Sequence, residues 1–249
     1  MAYFCAHKLN KPEIEEKFTR KADRLKELIN QKLWKNGFYR AFHYNEDYND
    51  AFSEKHIPME EIGYIPRMFN IPPKGREKVF NYLCDTEIFN ASTGITTADM
   101  RDKRFMYEAD HECLWNGYVW PFATSQTLKA MINVIRNYGV ENLRDSFAVL
   151  LLQYAKCHRK INADGSKVMW IDEVIHPFRQ EWTSVTYLKE HNYPKHMGPK
   201  GRGKDYNHST FCDLVISGIC GIEANEDGIE VNPIVPESWD YFRLNKLYG

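Results

Sequence analysis

The chain has 249 residues and a formal net charge of −1, with Lys/Arg and Asp/Glu interspersed along it. That length suffices for one substantial hydrophobic core, and the even charge excludes the broad basic footprint of a nucleic-acid binder. No apolar run reaches the roughly twenty residues of a membrane span, and Met1–Ala6 lacks the basic start and apolar stretch of a signal peptide.

Aromatic residues make up 14% of the chain, with six tryptophans. That is more than a core of this size takes, and it suits a surface that stacks on flat ligands such as sugar rings. The cysteines (Cys5, Cys84, Cys113, Cys157, Cys212 and Cys220) include no C-x-x-C pair. Neither a zinc site nor a redox motif is therefore indicated, and no metal or other cofactor is expected.

In chain order, Met1–Leu9 reads as the closing turns of a helix. Asn10 with Pro12 marks a new start, Asn10 being the cap and Pro12 sitting in the first turn. Ile14, Phe18, Ala22, Leu25, Leu28, Ile29 and Leu33 then line one apolar face through Trp34. Asn36-Gly37 stops this helix, and Phe38–Arg40 reads as a short extended segment. A second, shorter helix is expected from His56–Glu61, with Ile62, Ile65, Met68 and Phe69 as its apolar face and Ile71-Pro72-Pro73 as its stop. Arg76–Phe89 is read as a third helix, and residues 90–112 as a long Gly/Thr/Asp-rich connection.

That connection leads into Trp115-Asn116-Gly117-Tyr118-Val119-Trp120-Pro121-Phe122, around which the rest of the chain is organised. Pro121 fits a first helical turn. Phe122, Leu128, Ile132 and Ile135 recur at helical spacing as far as Tyr138-Gly139, where the glycine closes the helix. Glu141–His158 follows after so short a turn that the two helices must form an antiparallel hairpin. Lys160–Lys204 has little helical periodicity, and a loop of that length in a compact domain is commonly functional. Asp205–Gly221 returns to helix, Gly228–Pro233 alternates like a strand, and Glu237–Leu244 reads as another. Both ends read as positions inside a longer chain. The whole is mainly α: helical hairpins with long polar and aromatic loops on one face and a short β segment near the C-terminus.

The strongest candidate for chemistry is Trp170-Ile171-Asp172-Glu173-Val174-Ile175-His176-Pro177. Glu173 stands among apolar neighbours in the long loop, the setting in which burial tunes a carboxyl group. Asp172 and Glu181 are its rivals. Cleavage of a glycosidic bond requires two such groups, one acid and one base or nucleophile.

Several segments, in order, resemble the six-hairpin (α/α)6 glycoside hydrolases, in the group of mannosyl-oligosaccharide glucosidases, trehalases and mannosylglycerate hydrolase-like enzymes. Glu61-Ile62-Gly63-Tyr64-Ile65-Pro66-Arg67-Met68-Phe69 is similar to a helix start of that group. Trp115 to Pro121 resembles its W-x-G-x-x-W-P hallmark, and Glu173 with Pro177 resembles its E-x-x-x-P segment. Tyr206-Asn207-His208-Ser209 resembles the opening of its last helix. The resemblance implies an inverting hydrolase acting on an oligosaccharide or glycoside, with Glu173 as general base. Trp115 and Trp120 would wall the sugar subsites, Asn116 and His208 would bind hydroxyls, and Trp170 and Trp182 would close the rim. The general acid of the group is an aspartate in a Gly-Trp-Asp motif, which this sequence lacks; Trp239-Asp240 is its one Trp-Asp pair. Asp99 and Asp110 are conceivable replacements without support from spacing. The resemblance thus implies that residues 1–249 form a single domain, the C-terminal portion of an (α/α)6 toroid. The alternative is a non-catalytic carbohydrate-binding or scaffold domain.

Overall fold

The computed structural model describes residues 2–41, 58–107, 112–192, 203–205 and 209–245. It is mainly helical, with four two-stranded antiparallel pairs among the described residues. Helix α1 (Ala2–Lys8) and helix α2 (Pro12–Lys32) pack as a hairpin. Asn10 does not cap α2. It adopts the left-handed conformation (φ 47°) needed to reverse the chain, Lys11 precedes the first turn, and no side chain caps it. Asparagine tolerates that conformation better than most residues. Asn36 (φ 49°) and Gly37 (φ 77°) form the turn of a hairpin rather than the helix stop, joining β1 (Trp34–Lys35) to β2 (Phe38–Tyr39).

The expected second helix is present over Glu61–Phe69, but it is wound as a 3-10 helix; His56 and Ile57 lie outside the described residues. Side chains three apart eclipse in that geometry, so Glu61, Tyr64 and Arg67 stack along one buried edge. Asn70 ends it in the left-handed conformation (φ 52°). The expected helix Arg76–Phe89 is instead a 3-10 turn (Glu77–Phe80) and the short α3 (Asn81–Cys84). Asp85 breaks it. Its carboxylate accepts the Glu87 N–H at 2.8 Å, and its carbonyl accepts three later N–H groups, the local competition by which aspartate favours turns. The connection that follows holds a small hairpin, β3 (Asn90–Ala91) with β4 (Gly94–Ile95).

Helix α4 (Pro121–Tyr138) has the expected bounds, with Pro121 in its first turn and Gly139 (φ 72°) as the left-handed cap. Helix α5 (Arg144–Cys157) follows a single 3-10 turn and packs on α4. The 3-10 helix Glu61–Phe69 lies along α4, and Asn133 donates from α4 to the carbonyls of Arg67 and Met68 at its C-terminal end. The core forms between these elements, with Leu128, Met131, Ile132, Phe80, Phe89 and Phe147 fully enclosed.

The stretch read as irregular after Lys160 contains β5 (Arg159–Ile161) paired with β6 (Lys167–Met169), then helix α6 (Ser184–Glu190). Helix α7 (Ser209–Asp213) continues as a π-helical segment, Leu214–Ile219. The alternating segment is strand β8 (Gly228–Val231), paired with β7 (Ile222–Asn225). Glu237–Leu244 is not a strand: the chain turns at Pro236, whose carbonyl accepts the Trp239 N–H at 3.2 Å. Trp239 packs against the core instead.

Candidate active site

Two long connections, one before α4 and one after α5, are drawn together by a row of single antiparallel backbone bridges: Thr96 with Val119, Val119 with Ile175, and Ile175 with Trp182. Val119 and Ile175 exchange both N–H···O bonds at 3.0 Å. Side chains alternate across extended backbone, so the row has two faces. Val119, Ile175 and Trp182 cluster with Cys157 on one, while Trp120 and Val174 cluster with Ala123 on the other. Pro177 is fixed from the β3–β4 turn, where the Thr93 N–H (3.1 Å), the Thr93 hydroxyl (2.9 Å) and the Ser92 hydroxyl (3.2 Å) all donate to its carbonyl. Gly117 allows the tryptophan stretch to bend. Its φ is 131°, and a Cβ there would lie 2.5 Å from the Phe105 ring, a conformation and an approach open only to glycine.

This framework sets Glu173 next to Val174, which clusters with Trp120. Glu173 is 8% exposed, and the Ser184 hydroxyl donates to its Oε2 at 3.2 Å. Its backbone N–H donates to Asp172 Oδ1 at 2.7 Å, and Asp172 Oδ2 accepts the Val185 N–H at 3.2 Å. Burial raises the Asp172 carboxyl to about 6; those two N–H groups oppose the rise and the charge of Glu173 adds to it. Cys113 is close enough to Glu173 to respond to it: burial first, then that charge, push its thiol up to about 11. Cys113 packs against the cluster of Trp120, Ala123 and Val174.

Trp115 and Trp120 stack with ring centroids 4.0 Å apart and planes 25° apart. Their roles differ. Trp120 is 2% exposed and donates its indole N–H to Leu114 O at 2.8 Å, whereas Trp115 is 47% exposed. The inner ring is a support and the outer ring offers a face. Asn116 donates its amide N–H to Tyr107 O, and its Oδ1 is enclosed with no hydrogen-bond partner among the described residues. A cavity of about 380 Å³ is lined by Cys113, Trp115 and Asn116, with Glu60, Asp102 and Arg104 among the residues facing them.

Trp182 is buried and donates to Arg159 O at 2.7 Å, so it braces the β5–β6 hairpin. Trp170 lies under Lys160 Nζ (4.7 Å from the ring centroid) and Lys204 Nζ (5.3 Å). It lines a separate polar cleft of about 110 Å³ with Asp172 and Trp182. His208 and Asp110 lie outside the described residues. Asp99 is engaged through both oxygens by the Arg101 guanidinium, at 2.9 and 2.8 Å. His176 accepts the Phe178 N–H on Nδ1 at 3.1 Å, and burial, with Arg179 adding, holds its pKa down.

Sequence reasoning missed Ser184, which no spacing marks, and the Ser92–Thr93 anchor of Pro177. Among the described residues no group of His, Cys, Asp and Glu is arranged to hold a metal ion. No described helix is long and apolar enough to cross a membrane.

Fold and site together define a mainly helical domain in which an enclosed carboxylate, Glu173, neighbours the Val174 that clusters with Trp120 under the open Trp115 ring. The chain belongs to the mannosylglycerate hydrolase MGH1-like glycoside hydrolase domain family, whose model matches residues 4–209. It is similar in structure to a sialidase chain at TM-score 0.76 and 28% identity, over 96% of this chain and 20% of that one. It thus spans a fifth of the length of that relative. The GH63 mannosylglycerate hydrolase from Thermus thermophilus, in complex with Tris, aligns at TM-score 0.45 and 19% identity, over 73% of this chain and 39% of that one. An uncharacterized conserved protein from the same organism aligns at TM-score 0.46 and 19% identity, over 75% and 43%. No curated protein sequence matches the chain.

Proposed function

We propose that this chain supplies the general-base side of an inverting glycoside hydrolase site, within a toroid of (α/α)6 type to which residues 1–249 contribute the C-terminal part. Glu173 takes a proton from a water molecule that attacks the anomeric carbon. Trp115 is the platform for the sugar ring, Trp120 holds that platform in place, and Asn116, in the lining of the same cavity, binds a hydroxyl. Trp170 and Trp182 shape the neighbouring rim, with His208 as a further hydroxyl ligand. The proton for the leaving oxygen comes from a second carboxylic group that this chain does not supply. One observation carries the reading: Glu173 is enclosed and oriented by Ser184, and its neighbour Val174 packs on the tryptophan that backs the open Trp115 ring.

Positioned general bases contribute about 10²–10⁴-fold. Glu173→Gln should therefore lower kcat by that range and leave glycan affinity nearly intact, with the product anomer read by NMR as inverted. Full turnover in the Gln variant would remove Glu173 from the mechanism, and a retained anomer would remove inversion. A second reading, a domain that holds sugar without cleaving it, draws on the engagement of Asp99 by Arg101. Its mark would be glycan binding without hydrolysis in the unaltered protein, surviving Glu173→Gln.

A further inference from the structure

We propose that Asp172 is the positioning residue for Glu173, a role that rests on Glu173 being the base. Asp172 and Ser184 close a ring around it. Asp172 Oδ1 takes the Glu173 N–H at 2.7 Å, and its Oδ2 takes the Val185 N–H at 3.2 Å. Ser184, next to Val185, returns to Glu173 through its hydroxyl at 3.2 Å. The ring thus runs from the Glu173 carboxylate through Ser184 and the Val185 N–H to Asp172, and back to the Glu173 backbone. Two further contacts lock it. Asp205 donates its N–H to Ile171 O at 3.0 Å. Gly203 (φ 87°) lies so close that a Cβ would come within 3.0 Å of Ser184 Oγ and 3.3 Å of Asp172 Oδ1.

Both Asp172 oxygens accept backbone N–H groups and the residue is 1% exposed, so this carboxylate orients the chain around Glu173. Removing its charge frees the 184–185 turn, and with that turn the hydroxyl that aims Glu173. Misplacement of a reacting group by about 1 Å costs up to about 100-fold in rate. Loss of Asp172 should therefore act on kcat and not on KM.

The test uses Asp172→Asn and Ser184→Ala beside Glu173→Gln, with two readouts. One is the split between kcat and KM on a glycoside substrate. The other needs no turnover. The charge of Glu173 helps hold the Cys113 thiol up, so iodoacetamide alkylation of Cys113 at mildly alkaline pH reports where that charge sits. Cys5, Cys84 and Cys212 are exposed, so alkylation is followed peptide by peptide by mass spectrometry. Expected in both positioning variants are a 10- to 100-fold lower kcat at unchanged KM, and Cys113 alkylation accelerated severalfold toward the Glu173→Gln rate. Unchanged kcat and unchanged Cys113 alkylation in folded variants overturn the proposal. So does a loss shared between kcat and KM with no change at Cys113, which is what a merely structural role gives. If Asp172→Asn does not fold, Ser184→Ala decides on the same two readouts. Normal turnover in Glu173→Gln would sink the base assignment separately, while the Cys113 response would still show whether the ring holds that carboxylate.

Discussion

Helix α2 runs for 21 residues with an apolar stripe and buries none of them, whereas α4 runs for 18 and buries eleven. Leu25 on α2 is 59% exposed; Leu128, Met131 and Ile132 on α4 are fully enclosed. Even polar residues of α4 are covered, Thr124, Ser125 and Thr127 among them. The cause lies outside both helices. The 3-10 helix Glu61–Phe69 lies along α4, and α5 packs on it too. By contrast, α2 is tied to the domain near its C-terminal end, where Asn30 donates to Ile71 O at 2.9 Å and accepts from the Tyr39 hydroxyl. Periodicity identifies which face of a helix is apolar; what covers that face is decided by other elements.

Three substitutions test that contrast. Leu128→Ala removes enclosed apolar volume and should cost about 2–5 kcal/mol of stability in urea unfolding; a loss below about 1 kcal/mol would mean that the α4 face is not the core. Glu61→Gln probes the seam between α4 and the 3-10 helix, where the Thr127 hydroxyl reaches Glu61 Oε1 at 3.1 Å and Oε2 has no partner among the described residues. Burial holds this carboxyl well above its ordinary 4.5. Between the unfolded and folded values the native state keeps a proton that the unfolded chain has released, so wild-type stability falls as pH rises through that window. The Gln variant has no such slope and should gain on wild type from about pH 5 to about pH 8. Parallel midpoints at the two pH values would show a carboxyl that titrates normally in place. The smallest effect is expected on the uncovered helix: Leu25→Ala should stay within about 0.5 kcal/mol, and a cost above about 2 kcal/mol would show that α2 is covered in solution.

The sequence made α4 legible to the residue, because Pro121 and Gly139 punctuate it through fixed local preferences. The long helix α2 was legible from its apolar stripe and Pro12, although its cap and its stop fell elsewhere than expected, and strand β8 from its alternation. The Arg76–Phe89 segment was not, since a single side chain, Asp85, outcompetes helix formation there. The site was legible in its parts, Glu173 and the tryptophans, because their order and spacing carry the family resemblance. Their division of labour was not. That Trp120 supports while Trp115 is open, and that Trp182 braces a hairpin, depends on the backbone row through Val119 and Ile175. Ser184 reaches Glu173 only after α6 folds back, and nothing in the local sequence encodes that encounter.

The row of single bridges also sets a timetable. Its members, Thr96, Val119, Ile175 and Trp182, are joined by one residue pair at each step, and the Thr96–Val119 and Val119–Ile175 steps cross long stretches of chain whose closure entropy must be met before those pairs form. Helices α4 and α5, whose hydrogen bonds are local, can form first. Glu173 and the tryptophan stretch then come together only at the end, so a nascent polypeptide holds its helices well before it holds the geometry of the candidate site. In pulse-labelled refolding, the amide protons of Val119 and Ile175 should be the last to become protected.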